Sequence, residues 1–328
     1  MTSSARSLRN MGKKECPDEH RRYFQIAGIT VCVESDLDFN EVKFKEEFAP
    51  FAVEGPGKDN VTFHHHFGLP DLTGQDLGKT VYRKVPWAIS RKGDTWFYLG
   101  IASEAQEAEL QWVGIFNADH TDAVIYSPKR LKDIVRKTSQ GWYSLSLFPT
   151  DQVWLAPLLA DRSAVLLHSA GVILNGQGLL FVGHSDAGKS TTVNMLKGRA
   201  EILCDDRNVA RRWNSGWRIH GTWSHGDVAD VSASSALLRA ILFLQQDRCN
   251  EILPLTDRKA IWKLLLGTLI KSVVTAEWWQ KEIDILEQII RDVPCYTMRF
   301  DKSGRIVPEL EKLVKARLPS FNRRESFL

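Results

Sequence analysis

The chain has 328 residues, of which 43% are hydrophobic and 25% charged, as is typical of a globular protein with a sizeable core. Its formal net charge at pH 7 is only +3, which argues against nucleic acid or an anionic membrane as a partner. We expect no signal peptide and a cytoplasmic location, since no long apolar run follows the basic N-terminus. The five cysteines are scattered without a C-x-x-C pair, which favours thiols over a disulfide or zinc framework.

The N-terminal part of the sequence predicts a β-rich α+β domain. Basic residues crowd positions 1–22, where we expect a flexible tail. From 23 to 140, short stretches that alternate in hydrophobicity, such as FQIAGITVCVES, predict strands separated by turn sequences. In the same range, EVKFKEEFAPF favours a single helix.

Residues 141–318 predict an α/β domain, and 319–328 a short C-terminal tail. Near the boundary, LKDIVRKT and DQVWLAPLLADR have helical periodicity. Further elements follow along the chain: helix STTVNMLKG, strand EILC, helix ASSALLRA, strand RAILFLQQ, helices KAIWKLLLGTLIKSVV and WWQKEIDILEQIIRDV, strand CYTMRF and helix VPELEKLVKARL.

One turn in this domain predicts an unusual sheet. Asn175 and Gly176 separate the apolar runs SAVLLHSAGVIL and GLLFVG, and Asn-Gly in this position is a strong hairpin signal. The second run leads into a glycine-rich loop. We therefore expect the strand entering that loop to be antiparallel to its predecessor, which makes the sheet mixed rather than all parallel.

The glycine-rich loop matches the phosphate-binding pattern GxxxxGKS. An apolar strand precedes it and a helix follows, so backbone N–H groups and the helix N-terminus converge on one anion site. Lys189 is expected to reach the β- and γ-phosphates of a nucleotide, and the Ser190 hydroxyl to ligate Mg²⁺. The alternative is a strand–helix turn without a ligand. The predicted nucleotide site is Gly183, His184, Ser185, Asp186, Ala187, Gly188, Lys189, Ser190 and Thr191.

A second feature is the pair Asp205 and Asp206 at the end of the apolar strand EILC. Adjacent residues at a strand end point to opposite faces, so the two carboxylates are expected to do different jobs. One would hold Mg²⁺ and the other would accept a proton from an attacking hydroxyl, and the sequence leaves open which does which. The alternative is a solvated turn in which Asp206 pairs with Arg207.

The combination resembles the HPr kinase/phosphorylase family, which is related to the phosphoenolpyruvate carboxykinases. The resemblance rests on the strand with Leu167 and His168, the hairpin, the glycine loop and the Asp-Asp strand, and it covers roughly 155–250. It implies a P-loop kinase domain of the HPr-kinase C-terminal type that uses ATP and Mg²⁺ to phosphorylate a serine or threonine of a protein or peptide. It also implies symmetric homo-oligomers.

The resemblance further implies residue roles. Lys189 and Ser190 would hold the nucleotide and the metal, and Asp205 and Asp206 would act as base and metal partner. We place the metal at Ser190 and Asp206, and count Asp205, Asp206 and Lys189 as catalytic.

The segment after the aspartates differs from the HPr kinases. It contains RIHGTWSHG, in which His220 stands where the family has the arginine of Ile-Arg-Gly. This resembles a divergent branch that includes kinases of lasso-peptide precursors. His220, His225 and Arg239 are candidates for contacts to substrate or phosphate, and structural roles are the alternative for each.

Two other functions stay open. The altered segment around His220 favours a regulatory protein that binds ATP without turning it over. A kinase of a small-molecule hydroxyl, on an amino acid or a sugar, is the other, because a fold does not determine the acceptor.

Elsewhere, His64 and His66 share a strand face but make a poor metal site, since they supply only two ligands. Trp213, Trp217 and Trp223 are expected to serve packing.

Overall fold

The computed structural model describes residues 17–103, 109–137, 141–271 and 275–316. The predicted tail at 319–328, residues 1–16 of the predicted tail at 1–22, and the expected domain boundary at 140 lie outside these ranges. The first strand begins at Arg21, inside the range assigned to the N-terminal tail.

The N-terminal module is β-rich, as expected. Within the described residues its strands are β1 Arg21–Ile26, β2 Ile29–Ser35, β3 Ala52–Val53, β4 Asn60–Phe67, β5 Lys79–Lys84, β6 Trp87–Lys92, β7 Thr95–Ile101, β8 Leu110–Phe116 and β9 Asp122–Ser127. They form one mixed sheet in the order β3-β1-β2-β4-β9-β8-β7-β6-β5. β2, β4 and β9 are parallel, whereas the outer strands pair antiparallel.

The single helix expected from EVKFKEEFAPF is wrong. The segment contains the end of one short 3₁₀ helix, Phe39–Glu41, and a second, Glu46–Phe51. Between them the chain is extended, because Trp142 donates its backbone N–H to the carbonyl of Lys43 and accepts from the N–H of Lys45. A partner about 100 residues away in sequence thus prevents a continuous helix.

The second sheet surrounds the glycine loop. Its strands in the described chain are β10 Ala164–Leu174, β11 Gln177–Val182, β12 Glu201–Cys204, β13 Arg207–Trp213, β14 Gly216–His220, β15 Ser235–Gln246, β16 Glu251–Pro254 and β17 Cys295–Phe300. The order is β11-β10-β13-β14-β15-β17-β16, with β12 beside β10. β11 also pairs with β15, which closes a ring of five strands.

The predicted hairpin and mixed sheet are confirmed. β10 and β11 are antiparallel, and Leu174 pairs with Gln177 across a two-residue turn. Asn175 and Gly176 both have positive φ, of 51° and 75°, as the turn type favoured by Asn-Gly requires. The loop-bearing strand β11 therefore has an antiparallel neighbour, β10, and a parallel one, β15.

The helix expected from ASSALLRA is wrong, because Ser235 begins the twelve-residue strand β15. Its first residues pair with β14, and its later ones with β11 and β17. Partners along both edges outweigh the local helical preference of Ala and Leu.

The other predicted helices are confirmed, with small differences in their ends. They are α1 Lys129–Lys137, α2 Gln152–Ala160, α3 Lys189–Leu196, α4 Arg258–Thr268, α5 Ala276–Asp292 and α6 Val307–Lys315. α4 ends before Leu269, earlier than the periodicity predicted. Leu269 instead bridges to Leu167 on β10.

The two sheets share a hydrophobic core. Trp223, which follows β14, has its ring centroid 5.2 Å from that of Phe48 and 5.5 Å from that of Phe51 in the N-terminal module. Arg162 donates two hydrogen bonds of 2.7 Å to the carboxylate of Asp59 across the same junction. The N-terminal module is therefore packed directly against the strands that carry the glycine loop and the aspartates.

A buried carboxyl on α5 gives a stability prediction. Glu282 is 1% exposed, its Oε2 has no hydrogen-bond partner in the described structure, and burial raises its pKa from 4.5 to about 8. The folded protein thus keeps a proton that the unfolded chain releases, so stability should fall as pH rises from about 4.5 to 8. We expect Glu282→Gln, which stays neutral, to be the more stable protein at pH 8 by a few kcal/mol. Urea unfolding at pH 5 and pH 8 measures this, and equal pH dependence of the two proteins would contradict it.

Candidate active site

The glycine loop joins the end of β11 to the start of α3. Asp186 and Gly188 have positive φ, of 64° and 98°, which bends the chain back over the helix N-terminus. A Cβ at position 188 would lie 2.7 Å from the ring of Phe300, so both backbone conformation and space require glycine there. Asp186 is exposed, while its carbonyl accepts a hydrogen bond of 2.6 Å from Gln246 on β15. The loop is thus bound to β15 through the Asp186 carbonyl, while the Asp186 side chain is exposed.

Lys189 lies underneath this loop. Its Nζ donates hydrogen bonds of 3.0 Å to the carbonyls of Gly183 and His184, and the residue is 8% exposed. Burial lowers the pKa of Lys189, and the charges of Asp206, Asp205 and Asp186 oppose that shift only in part. A buried ammonium bound by neutral carbonyls is suited to an incoming anion, which would compensate its charge.

Asp205 belongs to the loop side of the site. Its Oδ2 accepts a hydrogen bond of 2.8 Å from Ser190 Oγ, and the residue is 2% exposed. The backbone N–H groups of Gly226 and Val228 also donate to its carboxylate, at 2.6 and 3.0 Å. These contacts join a hydroxyl and a carboxylate, the hard oxygen donors that Mg²⁺ prefers. The described residues contain no cluster of three or more His, Cys, Asp or Glu side chains that would form a metal site of their own.

Asp206 faces a different set of groups. His168 Nε2 lies 3.3 Å from its Oδ1, and the guanidinium of Arg207 lies 2.8 Å from its Oδ2. Ser224 Oγ donates to the same Oδ2 at 3.3 Å. Burial alone would raise the pKa of Asp206, but the hydrogen bond from His168 and the charge of Arg207 outweigh it and lower that pKa. Asp206 is therefore ionised at neutral pH.

The two aspartates are thus divided as their strand position predicts. We had placed the metal at Ser190 and Asp206, but the structure brings Ser190 against Asp205 instead. The strand bends between the two residues: the backbone N–H of Asp206 donates to Cys204 Sγ, and its carbonyl accepts from Ser169. Asp205 is consequently held toward α3, and Asp206 away from it.

A cleft of about 320 Å³ lies next to the partners of Asp206. Arg207 and Ser224, which both contact the Asp206 carboxylate, lie in its wall. The N-terminal module and the segment before α2 supply the opposite side. The lining residues are Lys45, Glu47, Tyr143, Ser144, Pro149, Thr150, Asp151, Gln152, Leu155, Leu166, Arg207, Thr222, Trp223, Ser224 and His225.

The wall contributed by residues 144–152 is internally braced. The buried Asp151 carboxylate accepts from the backbone N–H groups of Leu145 and Ser146, from Ser146 Oγ and from Trp154 Nε1, all within 3.0 Å. With its amide oxygen toward Arg207, Gln152 accepts from Nε at 2.6 Å. The sequence analysis missed these residues. An Asp immediately before a predicted helix was the available signal, but its partners depend on tertiary structure.

Of the three candidates for substrate contacts, His225 lies in this cleft. It is exposed, and it directly precedes Gly226, which binds Asp205. His220 lines a different cavity and is 6% exposed. Thr191 lies in the first turn of α3, directly after Ser190.

Arg239 requires a correction. We expected it to contact substrate or phosphate, but its guanidinium donates to the carbonyls of Leu313 and Ala316 at the end of α6. The side chain is buried, and it satisfies carbonyls that a helix C-terminus leaves without partners. Arg239 therefore anchors α6 to β15.

This role gives a testable difference. We expect Arg239→Met to reduce stability by about 1–3 kcal/mol, because the carbonyls of Leu313 and Ala316 lose their charged donor. Urea unfolding of both proteins at the same pH measures the loss. Unchanged stability would contradict the anchoring role.

Two other expectations concern packing. Trp217 and Trp223 are buried, as predicted, whereas Trp213 is 36% exposed. His64 Nδ1 pairs with Glu34 at 2.7 Å, so this histidine is engaged within the N-terminal sheet.

None of the helices in the described ranges has the length and apolarity needed to cross a membrane.

Part of the chain is similar to a sequence family and to solved structures. No curated protein sequence is significantly similar to the chain. A solved structure to which it is similar is the Hpr(Ser) kinase/phosphatase from Coxiella burnetii, at 12% identity over 46% of this chain and 88% of that one. The TM-score between the two structures is 0.26. Over residues 154–315, just under half of the chain, the sequence matches the family described as SynChlorMet cassette protein ScmC.

Proposed function

We propose that this protein is an ATP- and Mg²⁺-dependent kinase that transfers the γ-phosphoryl group to a serine or threonine hydroxyl of a protein or peptide. The observation that carries the proposal is that the two aspartates after β12 contact different groups. Asp205 contacts the loop serine Ser190 at 2.8 Å, while Asp206 contacts Arg207 and Ser224, two residues that line the cleft. A phosphate site and an acceptor site then meet at two adjacent carboxylates.

The loop fits a nucleotide on its own geometry. Gly188 permits the turn that directs the chain over α3, and Lys189 is buried with only carbonyl partners among its described hydrogen bonds. Ser190 and Asp205 are the residues that would hold Mg²⁺. When bound there, ATP would supply the phosphoryl group, and Mg²⁺ would neutralise charge that develops during transfer.

The cleft fits the acceptor. An ionised Asp206 accepts a hydrogen bond from a hydroxyl, which orients the oxygen and takes up its proton. Ser224 Oγ donates to Asp206 Oδ2, so this oxygen already accepts a hydrogen bond from one hydroxyl, which supports the proposal. Arg207 lies 2.8 Å from the same oxygen and balances its charge. The N-terminal module forms the far wall of the cleft and would contact the residues that flank the acceptor.

The test is transfer of label from γ-labelled ATP, with Mg²⁺ and a lysate of the source cell as the pool of acceptors. We expect label on one protein or peptide, and none with the double variant Asp205→Asn, Asp206→Asn. Label on small molecules alone would overturn the proposed acceptor class. Equal labelling by the double variant would overturn the proposed site.

A second candidate is a nucleotide-binding regulatory protein without transferase activity. One observation favours it: both oxygens of Asp206 already have partners within the chain, namely His168, Arg207 and Ser224. This function predicts tight ATP binding by the purified protein, with no label transferred to any component of the lysate.

A further inference from the structure

A second cavity, of about 310 Å³, lies at the junction between the N-terminal module and the hairpin of β13 and β14. The turn between β1 and β2 forms one side, and residues 233–235 form another. The lining residues are Gln25, Ala27, Gly28, Trp213, Ser215, Arg218, His220, Ala233 and Ser235. None of them belongs to the glycine loop or to the Asp-Asp pair, so this cavity is distinct from the candidate active site.

The junction is closely fitted around Trp213. A Cβ at Gly28 would lie 2.6 Å from the Trp213 ring, so the turn between β1 and β2 approaches the indole as closely as glycine allows. The guanidinium carbon of Arg211 lies 4.3 Å from the ring centroid, and Arg211 also donates to the carbonyl of Ala27 at 2.7 Å. The indole is consequently a fixed wall of the cavity.

His220 places a hydrogen-bond donor in this cavity. Its Nε2 accepts from the indole N–H of Trp213 at 3.4 Å, which assigns the ring proton to Nδ1. Within the described ranges Nδ1 has no hydrogen-bond partner. Burial, together with the charges of Arg218 and Arg211, lowers the pKa of His220 to about 3, so the ring is neutral at physiological pH. Nδ1–H is therefore a neutral donor of a cavity-lining residue, and a ligand in the cavity can accept from it.

The surroundings carry an excess of positive charge. Arg218 is half-buried, and among the described residues its guanidinium donates to Ser235 alone, at 2.9 Å to the carbonyl and 3.0 Å to the hydroxyl. No carboxylate pairs with it in the described part of the chain. Asp59 is shared between Arg162, at 2.7 Å, and Arg211, at 3.6 Å. The Asp59 carboxylate thus pairs with two arginines, whereas Arg218 pairs with no carboxylate among the described residues.

We propose that this cavity binds a small organic anion, whose carboxylate or phosphoryl group accepts hydrogen bonds from Arg218 and from Nδ1–H of His220. The rest of the ligand lies against the indole of Trp213. A volume of about 310 Å³ admits a small molecule rather than a folded partner. The site does not depend on the proposed kinase activity. It is linked to the active site by the segment after β14, because Ser224, four residues beyond His220, donates to Asp206.

The test uses inorganic phosphate and benzoate as probes, measured by isothermal titration calorimetry on the intact chain. We expect saturable binding of at least one probe to the wild type. Arg218→Gln should weaken it about 10- to 100-fold, the loss typical of one charge-assisted hydrogen bond. His220→Phe, which keeps a ring but removes the donor, should weaken it as well. Phosphate binding alone would indicate a phosphoryl ligand, and benzoate binding a carboxylate.

Two controls separate this cavity from other anion sites. Lys189→Met removes the loop ammonium and should leave binding of the probe to the cavity at Arg218 and His220 unchanged. Arg212→Gln, on the same hairpin but paired with Asp292 at 2.8 Å, should also leave it unchanged. Failure of both probes to bind the wild type would overturn the proposal. So would binding that survives in both Arg218→Gln and His220→Phe, or that is lost only in Lys189→Met.

Discussion

Lys189→Met is expected to reduce phosphoryl transfer by at least about 10²–10³-fold, the loss seen when a preorganised donor is removed from the charge that develops during a reaction. The ammonium is held beneath the loop by the carbonyls of Gly183 and His184, and methionine fills similar volume without the charge. Burial lowers the pKa of Lys189, so relief from the desolvation of its charge offsets the two hydrogen bonds that the variant loses, and we expect the variant to fold. Nucleotide affinity and the rate of label transfer are the two measurements.

The matched control is Lys197→Met, just beyond α3. Lys197 is an exposed lysine paired with Asp230 at 2.8 Å, so its loss should leave both measurements unchanged. Transfer at the wild-type rate by a folded Lys189→Met protein would refute the assignment of the loop as the nucleotide site.

The local parts of the active site could be predicted from the sequence. Asn175 and Gly176 define a two-residue turn through their own backbone preferences, and the glycines and lysine of the loop lie within eight consecutive positions. Such features depend on neighbours in sequence. The antiparallel pairing of β10 and β11 followed from that turn alone, without knowledge of the rest of the sheet.

The roles of the aspartates could not be predicted in the same way. Asp205 is assigned to the loop side by Ser190 and by two backbone N–H groups more than 20 residues further along the chain. Those N–H groups belong to a loop with no regular pattern in sequence. The alternation of a strand end predicts that the two carboxylates separate, but only tertiary contacts determine which of them meets Ser190.

Arg239 illustrates the same limit for a single residue. An arginine before an apolar strand is compatible with a phosphate contact, yet its partners are carbonyls 74 and 77 residues away. The wrong helix at ASSALLRA has a similar cause, since pairing with β14 and β11 determines the conformation there. The cleft wall formed by Lys45 and Glu47 likewise results from domain packing, which composition and periodicity do not report.

The second large effect separates the two aspartates. We expect Asp206→Asn to lower the rate of transfer by about 10²–10⁴-fold, the usual contribution of a positioned general base, while nucleotide affinity changes little. Its carboxylate contacts His168, Arg207 and Ser224 rather than the loop. Asp205→Asn should instead weaken Mg²⁺-dependent nucleotide binding, because Asp205 Oδ2 is the partner of the Ser190 hydroxyl. Titration calorimetry with ATP, with and without Mg²⁺, and single-turnover transfer measure the two effects separately.

The pH dependence of transfer tests the ionisation state of Asp206. The pKa of Asp206 lies below its usual value, so its carboxylate should remain ionised from pH 6 to 8 and transfer should not decline through its protonation in that range. Ser224→Ala serves as the conservative control: it removes the hydroxyl that donates to Asp206 and leaves the carboxylate in place. This variant should keep most of the transfer activity, since an acceptor hydroxyl then replaces Ser224 at Oδ2.

If Asp205→Asn and Asp206→Asn instead lower nucleotide affinity equally, with no separate loss in the transfer step, both carboxylates act on the nucleotide side. That result would contradict the proposal that the cleft binds the acceptor hydroxyl.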